Sequence, residues 1–75
     1  MGERGTPRLT ADQAIAILKR YGFTLAGTSG SHQKWRNTFT AKQVIVPYHR
    51  GRILPLGTMK SIIVGSGIDP ANWFS

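Results

Sequence analysis

Two histidines and a group of cations are the residues of this 75-residue chain that suit proton transfer next to a phosphate. His32 lies in the stretch Gly30-Ser31-His32-Gln33-Lys34-Trp35-Arg36, and His49 is followed by Arg50. A histidine exchanges a proton near pH ~6.5, and a positioned Lys or Arg stabilises charge that develops on a phosphate. These residue types fit cleavage of RNA, whose own 2′-hydroxyl is the nucleophile. They also fit a β-turn and an edge strand whose polar side faces water.

Other chemistries are excluded by the acidic residues and by the absence of cysteine. The three acidic residues, Glu3, Asp12 and Asp69, lie far apart in the sequence, so no carboxylate pair is available for acid–base catalysis. Two histidines without cysteine or a nearby acid do not make a closed zinc site or an oxygen cage for magnesium. We therefore predict no metal and no small-molecule cofactor.

The charge balance indicates the partner class. Ten Lys and Arg residues give a formal net charge of +7 and a pI near 11.0, which is typical of proteins that bind nucleic acid. An acidic protein partner or a merely solvated basic surface remains open. A membrane is disfavoured because no basic amphipathic helix stands out and no apolar run approaches ~18 residues. Residues 1–8 do not resemble a signal peptide, so we expect a cytoplasmic protein.

Local patterns predict the elements. Residues 1–9 are predicted to be a flexible tail, and residues 10–75 a single domain. Thr10 and Gln13 form a capping-box pattern at the start of a helix that ends before Gly22. Alternation and turn residues predict strands, and Pro55 is expected at the first position of a second helix. The predicted ranges are a helix over 10–21, strands over 23–28, 32–37 and 43–46, a second helix from 55 to 65–67, and a short helical turn over 69–74.

The pleat predicts which side chains share a face. A three-residue loop over 29–31 would set Thr28 opposite His32 and Leu25 opposite Trp35, with Leu25 and Trp35 in the core. The other face then receives the following residues of the second and third strands and of the segment after them: His32, Lys34, Arg36, Gln43, Ile45, Pro47 and His49. Both histidines are therefore expected at one end of one face.

The element order predicts an α+β fold, α-β-β-β-α, with a three-stranded antiparallel sheet and two helices on one face. This order is that of a double-stranded-RNA-binding-like domain, and its open face would carry the histidines and cations. In the second helix, Gly57 is assigned to close packing against the sheet and Thr58 to capping or to the helix surface.

Three motifs in this order resemble the HicA toxin family, also called the YcfA-like family. They are Gly30-Ser31-His32 with Trp35, then residues 44–49 (VIVPYH), then residues 55–62 (PLGTMKSI). The resemblance covers residues 10–68. It implies a small mRNA interferase with a double-stranded-RNA-binding-like fold, the toxin of a type II toxin-antitoxin pair, which a HicB antitoxin neutralises by covering the active site. It also implies that His32 is catalytic and that no metal is needed.

The chain departs from the family pattern at two positions. Trp35 stands where Phe or Tyr is usual, and Tyr48 stands where His is frequent, so a second histidine role rests on His49. We expect an endoribonuclease acting on mRNA, with a HicB-like antitoxin as partner. Catalytic support or RNA binding is assigned to Gly30, Ser31, Lys34, Arg36, His49 and Arg50. A non-catalytic RNA-binding module and a scaffold acting through protein contacts remain the alternatives.

Overall fold

The fold is α+β, in the predicted order α-β-β-β-α. The computed structural model of the chain describes residues 5–74, so residues 1–4 and 75 lie outside it. Its elements are α1 (Ala11–Arg20), β1 (Phe23–Ser29), β2 (His32–Asn37), β3 (Gln43–Pro47), α2 (Leu56–Ser66) and a 3₁₀ turn (Pro70–Trp73). The strands form one antiparallel sheet in the order β1-β2-β3. Buried residues of both helices join Trp35, Val44 and Val46 in a single core.

Helix α1 begins as its capping pattern predicts. The Thr10 hydroxyl accepts a hydrogen bond from the Gln13 N–H at 3.2 Å, and the Thr10 N–H donates to the Gln13 side chain at 2.9 Å. This reciprocal arrangement satisfies two backbone donors that the first turn would otherwise leave open. The helix ends before Gly22, whose φ of +94° stops it.

The turn between β1 and β2 differs from the prediction. Ser29, not Thr28, lies opposite His32, so the turn has two residues, Gly30 and Ser31. Gly30 has φ +58°, the positive value that the first central position of a type II′ turn requires. The extra residue lies instead in β1, where the register shifts between Leu25 and Gly27. This bulge at Ala26 restores the predicted pairing of Leu25 with Trp35.

Of the two residues predicted to lie in the core at this point, Trp35 is buried and Leu25 is not. Trp35 is 5% exposed, and the Lys19 ammonium group of α1 lies 5.7 Å from the centre of its ring. Leu25 is 50% exposed, so its predicted place in the core is wrong. Leu25 lies on an edge strand, where pairing with a buried residue does not by itself bring a helix over the side chain.

Helix α2 packs on β3 through a glycine other than the expected one. A Cβ atom at Gly65 would lie 3.1 Å from Val44 Cγ1, so Gly65 allows the close approach of helix and strand. A Cβ at Gly57 would meet nothing within 4 Å, and the packing role predicted for Gly57 is wrong. Pro55 is the N-cap residue, one position before the place predicted for it. Gly67, at φ +71°, ends the helix.

The loop from β2 to β3 is organised by a buried asparagine. The Asn37 side chain donates to the Tyr21 carbonyl at 2.8 Å and accepts from the Phe39 N–H at 2.7 Å. Because these bonds hold both the start of the loop and the end of α1, they fix one end of β2. The Phe39 side chain is left 87% exposed.

Both ends of the described chain lie against the body of the fold. Of the predicted flexible tail over 1–9, residues 1–4 lie outside the described range, whereas Pro7 is buried. The Leu9 carbonyl accepts a hydrogen bond from the Leu54 N–H at 2.8 Å. The boundary between tail and domain stays a prediction. At the other end, the predicted helical turn is a 3₁₀ turn that buries Trp73 to 1% exposure.

Within residues 5–74, neither helix has the length and apolar character that a membrane crossing would need.

Candidate active site

Strand β2 carries the central part of the site. His32, Lys34 and Arg36 alternate with Gln33, Trp35 and Asn37, and all three are exposed. In the register with β3, His32 lies opposite Pro47, Lys34 opposite Ile45 and Arg36 opposite Gln43. Because directly opposed residues share a face, these six residues form the open face, on the side of the sheet away from Trp35. The pleat therefore places His32, Lys34 and Arg36 on the face away from the core, as the alternation in the sequence predicts.

His32 and His49 line one cleft, which we call the histidine cleft. It has a volume of about 430 Å³ and lies where β2, the segment after β3 and the start of α2 meet. The residues that line it are His32, Pro47, His49, Arg52, Ile53, Leu54, Pro55 and Thr58. The structure thus brings the two histidines of the chain to one cavity at the end of the sheet where β2 begins, and the open face expected for His49 stays a prediction.

The segment that carries His49 is held by hydrogen bonds at its two ends. The Tyr48 N–H donates to the Ser31 carbonyl at 2.7 Å, which joins this segment to the turn before His32. The His49 carbonyl accepts from the Arg52 N–H at 3.1 Å, and Gly51 has φ +77°, so residues 49–52 form a tight turn. His49 therefore projects from a closed turn beside the start of β2.

A side-chain contact with α1 reinforces this arrangement. The Tyr48 hydroxyl donates a hydrogen bond to Asp12 Oδ2 at 3.0 Å. This bond, with some burial and the negative charge of Asp12, raises the pKa of Tyr48 above its ordinary value of 10.0, while Arg50 opposes the shift. Asp12 thus has a second role besides its favourable place in the first turn of α1.

A second pocket adjoins His32 on the open face. We call it the bulge pocket because the shift in β1 at Ala26 lies beside it. Its volume is about 280 Å³, and it is lined by Gly27, Thr28, Ser29, His32, Lys34 and Ile45. His32 is the residue that this pocket shares with the histidine cleft. Among the described residues that line the two pockets, none carries a carboxylate.

The remaining predicted site residues have different positions. Lys34 lines the bulge pocket, whereas Arg36 lies further along β2 and Arg50 lies in the turn after His49, and neither lines the two pockets. Gly30 and Ser31 shape the turn before His32, and Ser31 also contributes its carbonyl to the contact with Tyr48.

The sequence patterns missed three contributors to the site. Arg52 and Thr58 both line the histidine cleft, although the sequence predicts Thr58 only as a capping or helix-surface residue. Asp12, which the sequence places only within the range of the first helix, contacts Tyr48. The position of Thr58 one turn from Pro55 is a usable signal, since a side chain in the first turn of a helix faces the segment that enters it. No comparable local signal marks Arg52 or the contact between Asp12 and Tyr48.

Fold and site together define a small basic α+β domain with a histidine cleft beside a cationic sheet face. A family model described as "HicA toxin of bacterial toxin-antitoxin" matches residues 11–68 of the chain. The chain belongs to the HicA toxin family, as its three motifs predict. Comparison with curated protein sequences gives no match. Membership supports a role as the toxin of a toxin-antitoxin pair and implies an antitoxin partner.

Proposed function

We propose that this protein is a metal-independent mRNA interferase, the toxin of a type II toxin-antitoxin pair, in which His32 transfers a proton during RNA cleavage. The observation that carries this proposal is the histidine cleft: His32 and His49 line the same cavity together with Arg52. Two imidazoles and a guanidinium in one cleft are the groups that cleavage of a phosphodiester by its own 2′-hydroxyl needs.

The proposed step is a transfer within the RNA. The 2′-oxygen forms a bond to the adjacent phosphorus, and the bond from phosphorus to the next 5′-oxygen breaks. One group takes the proton of the 2′-hydroxyl, and another gives a proton to the leaving 5′-oxygen. His32 performs one of these transfers, and His49, on the same cleft, is the residue best placed for the other. The products are a 2′,3′-cyclic phosphate and a 5′-hydroxyl end.

Cations supply the rest of the proposed chemistry. Arg52 lines the cleft and Lys34 the bulge pocket, so both lie next to the pocket walls that His32 forms. They stabilise the additional negative charge that the phosphorus centre carries during the reaction. Arg36, further along the open face, and Arg50, after His49, are exposed and bind the flanking phosphates of the mRNA.

The proposed partner is a HicB-like antitoxin that neutralises the protein by covering this site in the cytoplasm. Family membership supports the pair. The bulge pocket on the open face and the histidine cleft share His32 in their walls, so a single protein surface seated over His32 can block both. No cofactor is required by the proposed step, because the substrate supplies its own nucleophile.

The test is incubation of the protein with RNA in EDTA, beside a His32→Ala variant. We expect the wild type to cut RNA and to leave 2′,3′-cyclic phosphate ends, and the variant to bind RNA at a similar affinity without cutting it. A DNA strand of the same sequence should stay intact, because it lacks the 2′-hydroxyl. Circular dichroism of the variant checks that its fold is retained.

The alternative of a non-catalytic RNA-binding module makes a different prediction. In that case both proteins bind RNA and neither cuts it, and expression of the wild type slows growth no more than expression of the variant. Cleavage by the wild type and the His32→Ala variant at equal rates would show that His32 takes no part in the reaction. A binding constant that hardly changes with salt concentration would instead favour the scaffold alternative.

A further inference from the structure

The two pockets beside His32 lie on either side of one candidate catalytic residue. The bulge pocket lies over the part of the open face where β2 begins, and the histidine cleft lies beyond that same end of the strand, toward α2. A phosphate held at His32 would therefore have a separate concave surface for each of its two neighbouring nucleosides. The cleft performs the proposed chemistry, but that chemistry alone does not account for the bulge pocket.

The bulge pocket is produced by a specific feature of β1. The register shift at Ala26 places Gly27 opposite Lys34, and Gly27 has no side chain to fill the space. A Cβ atom at Gly27 would meet no other atom within 4 Å, so the position is open toward the pocket. An ordinary branched strand residue would occupy this space.

The lining of the bulge pocket fits a nucleobase. Ile45 offers an apolar surface, and it is 45% exposed. Ser29, opposite His32, offers a hydroxyl group that donates and accepts hydrogen bonds, and Lys34 offers a cation for the adjoining phosphate. An apolar surface with a hydroxyl and one cation is a combination by which proteins hold an unstacked base. The volume, about 280 Å³, suits one base rather than a base pair or a large ligand.

The histidine cleft provides the second surface. Besides the histidines it contains apolar Ile53, Leu54 and Pro55, with Thr58 and Arg52 as polar groups. The apolar residues give a base a surface to lie on, and the hydroxyl and guanidinium give its edge hydrogen-bond partners. Both pockets therefore combine an apolar wall with polar groups.

We propose that the bulge pocket and the histidine cleft each bind one unpaired nucleobase of a single-stranded RNA, one on either side of the phosphate held at His32. This inference rests on the proposed function for the position of the phosphate. It makes single-stranded RNA the substrate, because an A-form duplex keeps its bases stacked and paired and cannot place them in two separate pockets. The substrate thus differs from the duplex that the double-stranded-RNA-binding-like topology suggests.

The experiment measures binding separately from cleavage. Fluorescence anisotropy at fixed salt compares a single-stranded oligonucleotide of 2′-deoxy nucleotides, which cannot be cut, with the duplex of the same sequence. A Gly27→Val variant fills the bulge pocket with a side chain that strands favour, and Ile45→Ala removes its apolar wall. Gly5→Val is the matched control, because Gly5 also has open space around a Cβ and lines a different groove.

We expect the wild type to bind the single strand more tightly than the duplex. Gly27→Val and Ile45→Ala should each weaken single-strand binding by about 5- to 150-fold, the range for loss of one stacked base, with an unchanged salt slope. Gly5→Val should bind as the wild type does. Equal or tighter binding of the duplex, or wild-type affinity in both pocket variants, would overturn the proposal.

A second measurement separates this inference from the proposed function. Cleavage sites in a pool of random-sequence RNA are mapped for the wild type and for Gly27→Val. The base preference on one side of the cut should change in the variant while the other side keeps its preference. If no RNA is cut but the pocket variants lose single-strand binding, the proposed function fails and the base site in the bulge pocket remains. If RNA is cut with identical preferences by both proteins, the base site in the bulge pocket fails and the nuclease remains.

Discussion

Strand β2 and the segment over residues 48–54 each contribute a histidine to the same cleft, but their backbones are held in different ways. His32 begins a strand that pairs with a neighbour on both sides, and Trp35 anchors that strand in the core. His49 lies in a turn after the end of the sheet, which is held by one bond within the turn and by individual contacts of Tyr48 with Ser31 and Asp12.

This difference shows that one cleft combines a group held by regular strand pairing with a group held by a few individual contacts. The strand is stabilised by buried apolar area and by regular hydrogen bonds, which lose little when one exposed residue changes. The segment depends on a few individual contacts, above all those that Tyr48 makes with Ser31 and Asp12. We therefore expect changes around His32 to affect chemistry or global stability, and changes around Tyr48 to have small, pH-dependent effects.

The largest expected effect is the loss of RNA cleavage when either histidine is replaced by alanine. His32→Ala should lower kcat for RNA cleavage by about 10²- to 10⁴-fold, the usual contribution of a general acid or base. His49→Ala should cause a smaller loss, because His49 lies in an exposed turn after the sheet, whereas His32 is fixed at the start of a strand that pairs on both sides. Single-turnover cleavage assays measure both. A larger loss in His49→Ala than in His32→Ala would reverse the assignment.

The second effect concerns the anchor of β2. Trp35→Ala should lower the free energy of unfolding by about 3–5 kcal/mol, because it empties a buried site of aromatic size. Arg52→Ala, an exposed change in the other segment, should stay within about 0.5 kcal/mol of the wild type. Urea unfolding followed by circular dichroism measures this difference. Similar losses in the two variants would show that the strand is no better anchored than the segment.

The third effect concerns the turn that precedes His32. Gly30→Ala should cost about 1–2 kcal/mol, because Gly30 has a positive φ that an L-residue with a Cβ adopts only under strain. Gly27→Ala is the control, since it adds the same methyl group where a Cβ has open space. Thermal unfolding at neutral pH compares the two. Equal melting temperatures would indicate that the turn relaxes without cost.

The smallest effect is the pH dependence of the bond from Tyr48 to Asp12. Because this bond raises the pKa of Tyr48, it stabilises the fold below pH 10.0, where the hydroxyl keeps its proton in both states, and the stabilisation is lost as pH rises through the raised value. Tyr48→Phe removes the bond. The wild type should thus melt at a higher temperature than the variant at pH 8, and the difference should shrink toward pH 11. A difference that stays constant with pH would contradict this.

Local patterns in the sequence predict most of the fold and the position of His32. The capping box gives the start of α1, and alternation along β2 places His32, Lys34 and Arg36 on one face. Both signals are local, because they depend on residues within three or four positions of one another. Such signals predict the structure correctly where a helix or strand is regular.

The error in the turn between β1 and β2 arises because the sequence gives the number of residues between two paired positions but not how they are divided between strand and turn. The predicted three-residue loop and the observed two-residue turn with a bulge both bring Leu25 opposite Trp35. Alternation counts residues between two strands and cannot tell whether an additional one lies in the turn or in the strand. The bulge pocket exists only because the additional residue lies in β1, so the sequence does not predict it.

Other misses come from contacts between distant elements. Gly57 and Gly65 both lie in α2, and only the packing of the helix on Val44 shows which of them allows the close approach. Arg52 joins the cleft because the segment folds back over the start of α2. No local pattern contains that information, since it follows from how the complete chain is packed.

The contacts between α1 and the segment over residues 48–54 also bear on how the chain folds. Tyr48 and Asp12 are 36 residues apart, and the bonds from Leu54 to Leu9 and the bridge between Thr10 and Ile53 span similar distances along the chain. The three strands, in contrast, pair with their neighbours in sequence. Contacts between distant residues cost more loop-closure entropy, so they form late unless apolar burial offsets that cost.

The bond from Tyr48 to Ser31 continues the pairing of β2 with β3, so we expect it to form with the sheet. The cleft would be complete only when Ile53 and Leu54 dock beside the start of α1, at the end of folding. A chain that leaves the ribosome only partly folded would then have its cationic strand face but lack its complete histidine cleft.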